Sequence, residues 1–166
     1  MYDARHDRPE DGRPGRRRSR LRIASALLAL AALALAGSAA GRPDANGLPA
    51  YINGYAEWPK LNATPIRGGS AAHQGVKNVY ASKRKGVRRY PVGTIVVKTA
   101  TPPGKRWLSL VATMRRIKGT ANGGWRWEEF TRRSSTARFV KVGFPESGCA
   151  ACHMQAKAND YVFTRR

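Results

Sequence analysis

The hydrophobic and polar positions between residues 76 and 142 follow a pattern that is typical of β-strands. Residues 94–98 (TIVVK) are rich in β-branched side chains, which favour a strand, and TPPG at residues 101–104 ends it. Further strands are predicted at residues 76–81, 107–117, 125–131 and 139–142, and a short helix from Ser147. Because glycine and proline separate these segments, the expected fold is mainly β: an antiparallel sheet with a few short helices, of the α+β type.

The N-terminal residues have the organisation of a secretory signal. Residues 1–22 are polar and rich in arginine, and residues 23–36 are apolar, with no charge and no helix breaker. Ser38 and Ala40 supply the small side chains that precede a cleavage site, so we expect cleavage after Ala40 and a periplasmic protein. The alternative is an uncleaved membrane anchor, although the apolar stretch is shorter than the roughly 20 residues that span a bilayer.

The segment after this signal is expected to precede the folded domain. Residues 41–50 (GRPDANGLPA) are rich in glycine and proline, which predicts a loose arm over residues 41–57. The folded domain is then expected over residues 58–166.

Residues 149–153 read Cys-Ala-Ala-Cys-His, which is the attachment pattern of c-type haem. Two thiols three residues apart lie on one face of a helical turn, so both can add to the vinyl groups of one haem. His153 then supplies an imidazole as the iron ligand. Because the motif occurs once, the sequence predicts one covalently bound haem c, held by Cys149, Cys152 and His153.

Three other uses of the two cysteines compete with haem attachment. A zinc site would combine them with His153 or His73, but structural zinc normally takes two ligand pairs at suitable spacing. A thioredoxin-like redox pair is expected in a βαβ unit, and a plain disulfide needs no further residue. Haem c is favoured because the export signal and the motif support each other.

The opposite side of the iron decides between electron transfer and catalysis. A sixth ligand from the protein would indicate electron transfer, whereas an open position would indicate ligand binding or catalysis. Met114 and His73 are the candidates, because Met154 is adjacent to His153 and Met1 lies in the signal. Otherwise Met114 is a core residue of its strand, and His73 is a polar loop residue or part of a cavity wall.

Basic residues are in large excess, with 31 Lys and Arg against 10 Asp and Glu and a formal net charge of +21. Residues 1–40 hold 8 of the basic and 4 of the acidic residues, so residues 41–166 keep a charge of +17. Export and the lack of a nucleic-acid motif argue against a nucleic-acid partner. An acidic redox partner, such as another cytochrome, or an anionic membrane surface is expected instead, the alternative being a generally basic surface.

Several segments, taken in order, resemble the cytochrome P460 family. They are YPVGTIVVK at residues 90–98, GGWRW at residues 123–127, CAACH at residues 149–153 and DYVFT at residues 160–164, with His73 and Val79-Tyr80 before them. The resemblance spans roughly residues 58–166. It implies a mainly antiparallel β fold, usually a homodimer, with one haem c.

The resemblance also implies a role for Lys98, because P460 proper carries a lysine that is covalently linked to the haem edge. Strand alternation places Lys98 on the same face as Val96. A lysine in an apolar pocket has a lowered pKa, and its neutral amine is a nucleophile. The alternative is a strand-end lysine that stays in water. Thr99 follows Lys98 here, where the family often has glutamate.

The resemblance also raises expectations for two carboxylates, Glu146 and Asp160, and for the reaction that the protein carries out. Glu146, close to the haem motif, is predicted to assist proton removal, and Asp160 to have a structural role or to orient a ligand. The best-known family members oxidise hydroxylamine to nitrogen oxides, which implies that reaction at a five-coordinate haem. The alternatives are a non-catalytic binder of nitric oxide or other diatomic gases, like the related cytochromes c′-beta, and a simple electron carrier with Met114 or His73 as sixth ligand.

Overall fold

The computed structural model describes residues 45–68 and 73–164, and a five-stranded antiparallel sheet forms its centre. The strands lie in chain order across the sheet: β1 (Val76–Ala81), β2 (Ile95–Thr101), β3 (Leu110–Arg116), β4 (Trp125–Thr131) and β5 (Val140–Lys141). The α-helix α1 (Glu146–His153) follows β5 in the chain. Short 3-10 helices occupy Ala50–Ile52, Tyr55–Glu57, Ala121–Gly124 and Met154–Asn159.

The mainly β fold predicted from the sequence is confirmed, and each predicted strand is present. β2 continues beyond the predicted residue 98 because Thr101 still pairs with Val76 of β1. β3 begins only at Leu110, where its pairing with Ala100 starts. The predicted signal over residues 1–40, with its cleavage site, lies outside the described residues. Within the described ranges, no helix has the length and apolar character needed to cross a membrane.

Both faces of the sheet are covered, because alternate residues of each strand point to opposite sides. On the cavity face, Val96, Met114 and Trp127 are cross-strand partners and belong to one hydrophobic cluster, which also includes Ala150 of α1. On the rear face, a second cluster is formed by the strand residues Val97, Val111 and Phe130 with Leu48, Ile52 and Phe139. The sheet therefore separates the haem motif from the N-terminal part of the domain.

The expected loose arm over residues 41–57 is wrong for the part that the structure describes. Leu48 and Ile52 are only 5% and 1% exposed, and they help to cover the rear face. Gly47 (φ +90) is needed for this path, since a Cβ there would lie 2.2 Å from the backbone oxygen of Phe139. Glycine and proline thus shape a packed turn here and do not form a linker.

This packing predicts a stability cost for truncating Ile52. Ile52→Ala should lower the free energy of unfolding by about 2–5 kcal/mol, because it leaves a cavity under the sheet. The neighbouring Asn53 is exposed, so Asn53→Ala is the control and should change stability by about 0.5 kcal/mol or less. Urea unfolding of both variants measures the difference. Equal stability of the two variants would instead support the predicted loose arm.

Candidate functional site

A cavity of about 370 Å³ lies between the cavity face of the sheet and the C-terminal segment that contains α1. Its walls are largely apolar, and include Val79, Val96, Met114, Trp127 and Phe144. The titratable residues that line it are His73, Lys98, Glu128, Glu129, Cys149, Cys152 and His153, although the Glu128 carboxylate bonds Tyr51 and Lys141. Small-molecule sites typically combine apolar walls with a few polar groups in this way.

Lys98 and Glu129 reach the cavity from the same cross-strand row of the sheet. Lys98 pairs with Ala112 of β3, and Ala112 pairs with Glu129 of β4. Cross-strand partners point to the same face, so the amine and the carboxylate flank a methyl group. The small side chain of Ala112 leaves space between them.

His73 joins these two groups into a hydrogen-bonded chain. Its Nδ1 lies 2.5 Å from the Lys98 Nζ, and its Nε2 lies 2.9 Å from a Glu129 carboxylate oxygen. Because an ionised carboxylate only accepts, Nε2 carries the proton and donates to Glu129. Nδ1 then accepts from the Lys98 amine. A proton can therefore pass along this chain between the amine and the carboxylate.

Burial lowers the pKa of Lys98 to about 8, although the nearby negative charge of Glu129 opposes the change. A larger share of this amine is then neutral near pH 7 than for an ordinary exposed lysine. The neutral form has the free electron pair of a nucleophile, whereas an ordinary exposed lysine is almost entirely protonated. Because Lys98 lines the cavity and contacts His73, its environment differs from that of the alternative, a strand-end lysine that stays in water.

The opposite wall of the cavity is made by α1, which carries the haem motif at its C-terminal end. Cys149 is partly buried, Cys152 is exposed, and both are free thiols. Burial, with the charges of Glu129 and Glu146 adding to it, raises the pKa of Cys149 to about 11. This raised pKa disfavours the thiolate form that a metal ligand requires.

His153 is held in one orientation by its neighbours. Its Nδ1 lies 2.7 Å from the backbone oxygen of Tyr161, which can only accept, so Nδ1 is the protonated nitrogen. The rings of Trp127 and Phe163 lie 4.5 and 4.9 Å from the imidazole, measured between ring centroids. Burial lowers the pKa of His153 to about 4. The imidazole is therefore neutral, with the Nε2 electron pair available for a metal.

The residues present fit a c-type haem. The cysteines lie one helical turn apart, His153 has a free Nε2 electron pair, and the cavity volume is within the range of cofactor sites. The Trp127 indole N–H is buried and has no hydrogen-bond acceptor among the described residues. A bound group with carboxylate oxygens would satisfy this donor. In the same parts of the chain, no three His, Cys, Asp or Glu side chains are grouped to hold a metal ion directly.

The predicted catalytic role of Glu146 is a sequence expectation that the structure does not support. Glu146 begins α1, and its carboxylate accepts from the Arg126 guanidinium at 2.8 Å and the Trp127 backbone N–H at 3.2 Å. It is not among the residues that line the cavity. Glu146 instead ties the start of α1 to β4, where a negative charge also favours a helix N-terminus.

Glu129 is the carboxylate that the sequence reasoning missed. The structure brings Lys98, Cys149, Cys152 and His153 together as expected, and adds Glu129 and His73 to them. The alternation of Trp125, Trp127 and Glu129 along β4 was the available signal, because it places the carboxylate on the face of the two tryptophans.

Comparison with known proteins is consistent with this site. The sequence profile of the family described as Cytochrome P460 matches residues 52–164, which is more than half of the chain. The match begins at Ile52, within the segment that covers the rear face. Comparison with curated proteins gives no match.

Proposed function

We propose, since the chain belongs to the cytochrome P460 family of c-type haem proteins, that it oxidises hydroxylamine to a nitrogen oxide. The observation that carries this proposal is the hydrogen-bonded chain of Lys98, His73 and Glu129 in the cavity that the haem motif lines. Burying such groups is costly, and titratable groups that converge in a cavity are typical of catalytic sites. A passive gas-binding cavity has no need of them.

The reaction requires acceptors for both protons and electrons. Oxidation of one hydroxylamine to nitric oxide releases three protons and three electrons. The haem c, when bound, supplies the redox-active iron, with Cys149 and Cys152 as attachment residues and His153 as ligand. The electrons must leave to an oxidised redox protein outside the cavity.

The protons that this reaction releases would be accepted by side chains of the protein. Glu129 lines the cavity together with the haem motif and can accept a proton, and His73 can relay a proton between Glu129 and Lys98. The apolar walls exclude bulk water and strengthen these electrostatic interactions. Lys98 is the residue that would carry the link to the haem edge.

A non-catalytic binder of nitric oxide is the second candidate, and the apolar walls of the cavity favour it. In that case Lys98 would remain a free amine bonded to His73. A simple electron carrier is less well supported. Both ring nitrogens of His73 already have partners, and Met114 is a buried member of the hydrophobic cluster.

The electron acceptor is proposed to be an acidic redox protein that docks on a basic loop. This loop (residues 83–89, KRKGVRR) contains five Lys and Arg residues, four of them exposed. Lys85 donates to the Asn159 side chain at 2.6 Å, which places the loop beside the segment that follows His153. The charge therefore lies close to the haem site and would steer an acidic partner there. An anionic membrane surface is the alternative occupant.

We further propose that residues 1–40 are a secretory signal and that haem is attached after export. Mature protein from a host able to attach haem c should gain the mass of one haem and lack residues 1–40. Cys149→Ala with Cys152→Ala should abolish covalent attachment, because both thioether bonds are lost. Mass spectrometry measures both changes. A haem adduct that persists in the double variant would refute attachment at this motif.

Substitutions of Lys98 and Glu129 distinguish the proposed enzyme from the proposed gas binder. If the protein is an enzyme, Lys98→Ala should lose a red-shifted ferrous Soret band and hydroxylamine oxidation, yet keep the haem. Glu129→Gln should keep that band but slow oxidation by about 10²–10⁴-fold, since it removes a proton acceptor. Absorption spectra and steady-state turnover provide both measurements.

The neighbouring Glu128 is a matched control for Glu129. Its carboxylate bonds Tyr51 and Lys141, away from the Lys98 chain, so Glu128→Gln should leave the oxidation rate nearly unchanged. Wild-type protein with an ordinary c-type band and no hydroxylamine turnover would refute the enzyme. Intact nitric oxide binding in Lys98→Ala would then favour the gas binder.

The basic loop predicts a salt-dependent electron transfer. The rate to an acidic acceptor should fall steeply between low and physiological ionic strength. Arg88→Glu with Arg89→Glu should lower the low-salt rate by about tenfold or more. Lys105→Glu with Arg106→Glu reverses two exposed charges beyond the opposite end of β2 and is the control. Equal effects of the two pairs, or no salt dependence, would leave only a general surface charge.

A further inference from the structure

The segment that follows the haem motif ends in an unusual backbone conformation. The 3-10 helix Met154–Asn159 is followed by Asp160 and Tyr161, whose φ angles are +53° and +67°. Left-handed φ values are uncommon for residues other than glycine, and two in succession persist only where the surroundings hold them. Contacts with surrounding residues must therefore hold Asp160 and Tyr161 in this conformation.

The Asp160 carboxylate helps to hold this conformation. It is 5% exposed, accepts the Tyr90 backbone N–H at 2.7 Å, and lies 3.4 Å from a nitrogen of the Arg116 guanidinium. Arg116 is itself 7% exposed and donates from the same nitrogen to the Gly123 backbone oxygen at 2.7 Å. The buried ion pair thus joins the C-terminal segment to β3 and to the turn before β4.

Two glycines before β4, Gly123 and Gly124, pack against the side chains of Tyr161 and Arg116. A Cβ on Gly123 would lie 2.3 Å from the Tyr161 ring, and one on Gly124 would lie 2.6 Å from the Arg116 guanidinium. Both glycines have positive φ, at +73° and +82°. Neither position therefore has room for a side chain while Tyr161 and Arg116 keep their places.

The consequence appears at His153. The turn made by Asp160 and Tyr161 directs the Tyr161 carbonyl at the imidazole Nδ1–H, 2.7 Å away. This hydrogen bond fixes the tautomer in which Nε2 has the free electron pair. A donor bond of this kind makes an imidazole a stronger electron donor to a metal.

We propose that Asp160 is a positioning residue for His153. Held by Arg116 and the Tyr90 N–H, it maintains the left-handed turn whose Tyr161 carbonyl orients and polarises the imidazole. The proposal rests on His153 as the iron ligand of the family's haem c. A stronger donor stabilises oxidised iron, so this network would keep the reduction potential low.

The experiment compares holoprotein variants at Asp160. Asp160→Ala removes the carboxylate and the tolerance for positive φ, and Asp160→Gly removes only the carboxylate. Asp160→Asn keeps an acceptor for Tyr90 and tolerates the turn, but loses the charge. We expect an upward shift of the reduction potential and a lower iron–histidine stretching frequency in the Ala and Gly variants, with a smaller shift for Asn. Redox titration and resonance Raman spectroscopy of the ferrous protein measure them.

Glu146→Gln is the matched control, since it also removes a carboxylate–arginine pair from the C-terminal segment but has no contact with Tyr161. Wild-type potential and frequency in the Ala and Gly variants would overturn the proposal. If those two do not fold, unchanged values in Asp160→Asn and Arg116→Lys would overturn it instead. Neither measurement requires hydroxylamine turnover. A wild-type iron–histidine signal in His153→Ala would refute the ligand assignment, which distinguishes that failure from a failure of the oxidation proposal.

Discussion

The cavity depends on one constraint, which is that the Lys98 amine lies inside an apolar space. Burial disfavours its charged form, and its N–H groups still need an acceptor. His73 provides that acceptor, and Glu129 holds His73 in place. These contacts require β2, β3 and β4 to pair in one register, because a slip of one residue would turn Lys98 or Glu129 to the rear face. The chemistry of the site is therefore a property of the whole sheet.

The opposite wall cannot be held by hydrophobic burial alone, since Ala150 is the buried residue of α1. Two ion pairs anchor it instead. Glu146 binds the half-exposed Arg126 at the start of the helix, and such a pair contributes only about 0–1 kcal/mol. The pair of Asp160 and Arg116 is buried, and losing one partner would leave an uncompensated charge. The second anchor therefore controls the position of the segment beyond the haem motif.

What could be predicted from the sequence was local. The β-branched run of β2 and its alternation predicted both the strand and the face of Lys98. The alternation along β4 indicated the face of Glu129 but not its place beside Lys98, which depends on β3 lying between β2 and β4. The sequence places Glu146 three residues before the motif but does not show that its carboxylate is directed to Arg126 and the Trp127 N–H, outside the cavity lining. Ile52 was missed because its burial requires the rear face of the completed sheet.

The proposed oxidation would use the two sides of the cavity differently. Glu129 and His73 on the sheet would accept and relay protons, whereas His153, the proposed iron ligand, belongs to the C-terminal segment. The basic loop touches that second segment through Lys85 and Asn159, on the side where electrons would leave. A protein that only binds a neutral gas needs neither a proton acceptor in the cavity nor a charged surface beside the ligand segment. The presence of both is what we would expect of the proposed reaction, in which protons and electrons leave by separate routes.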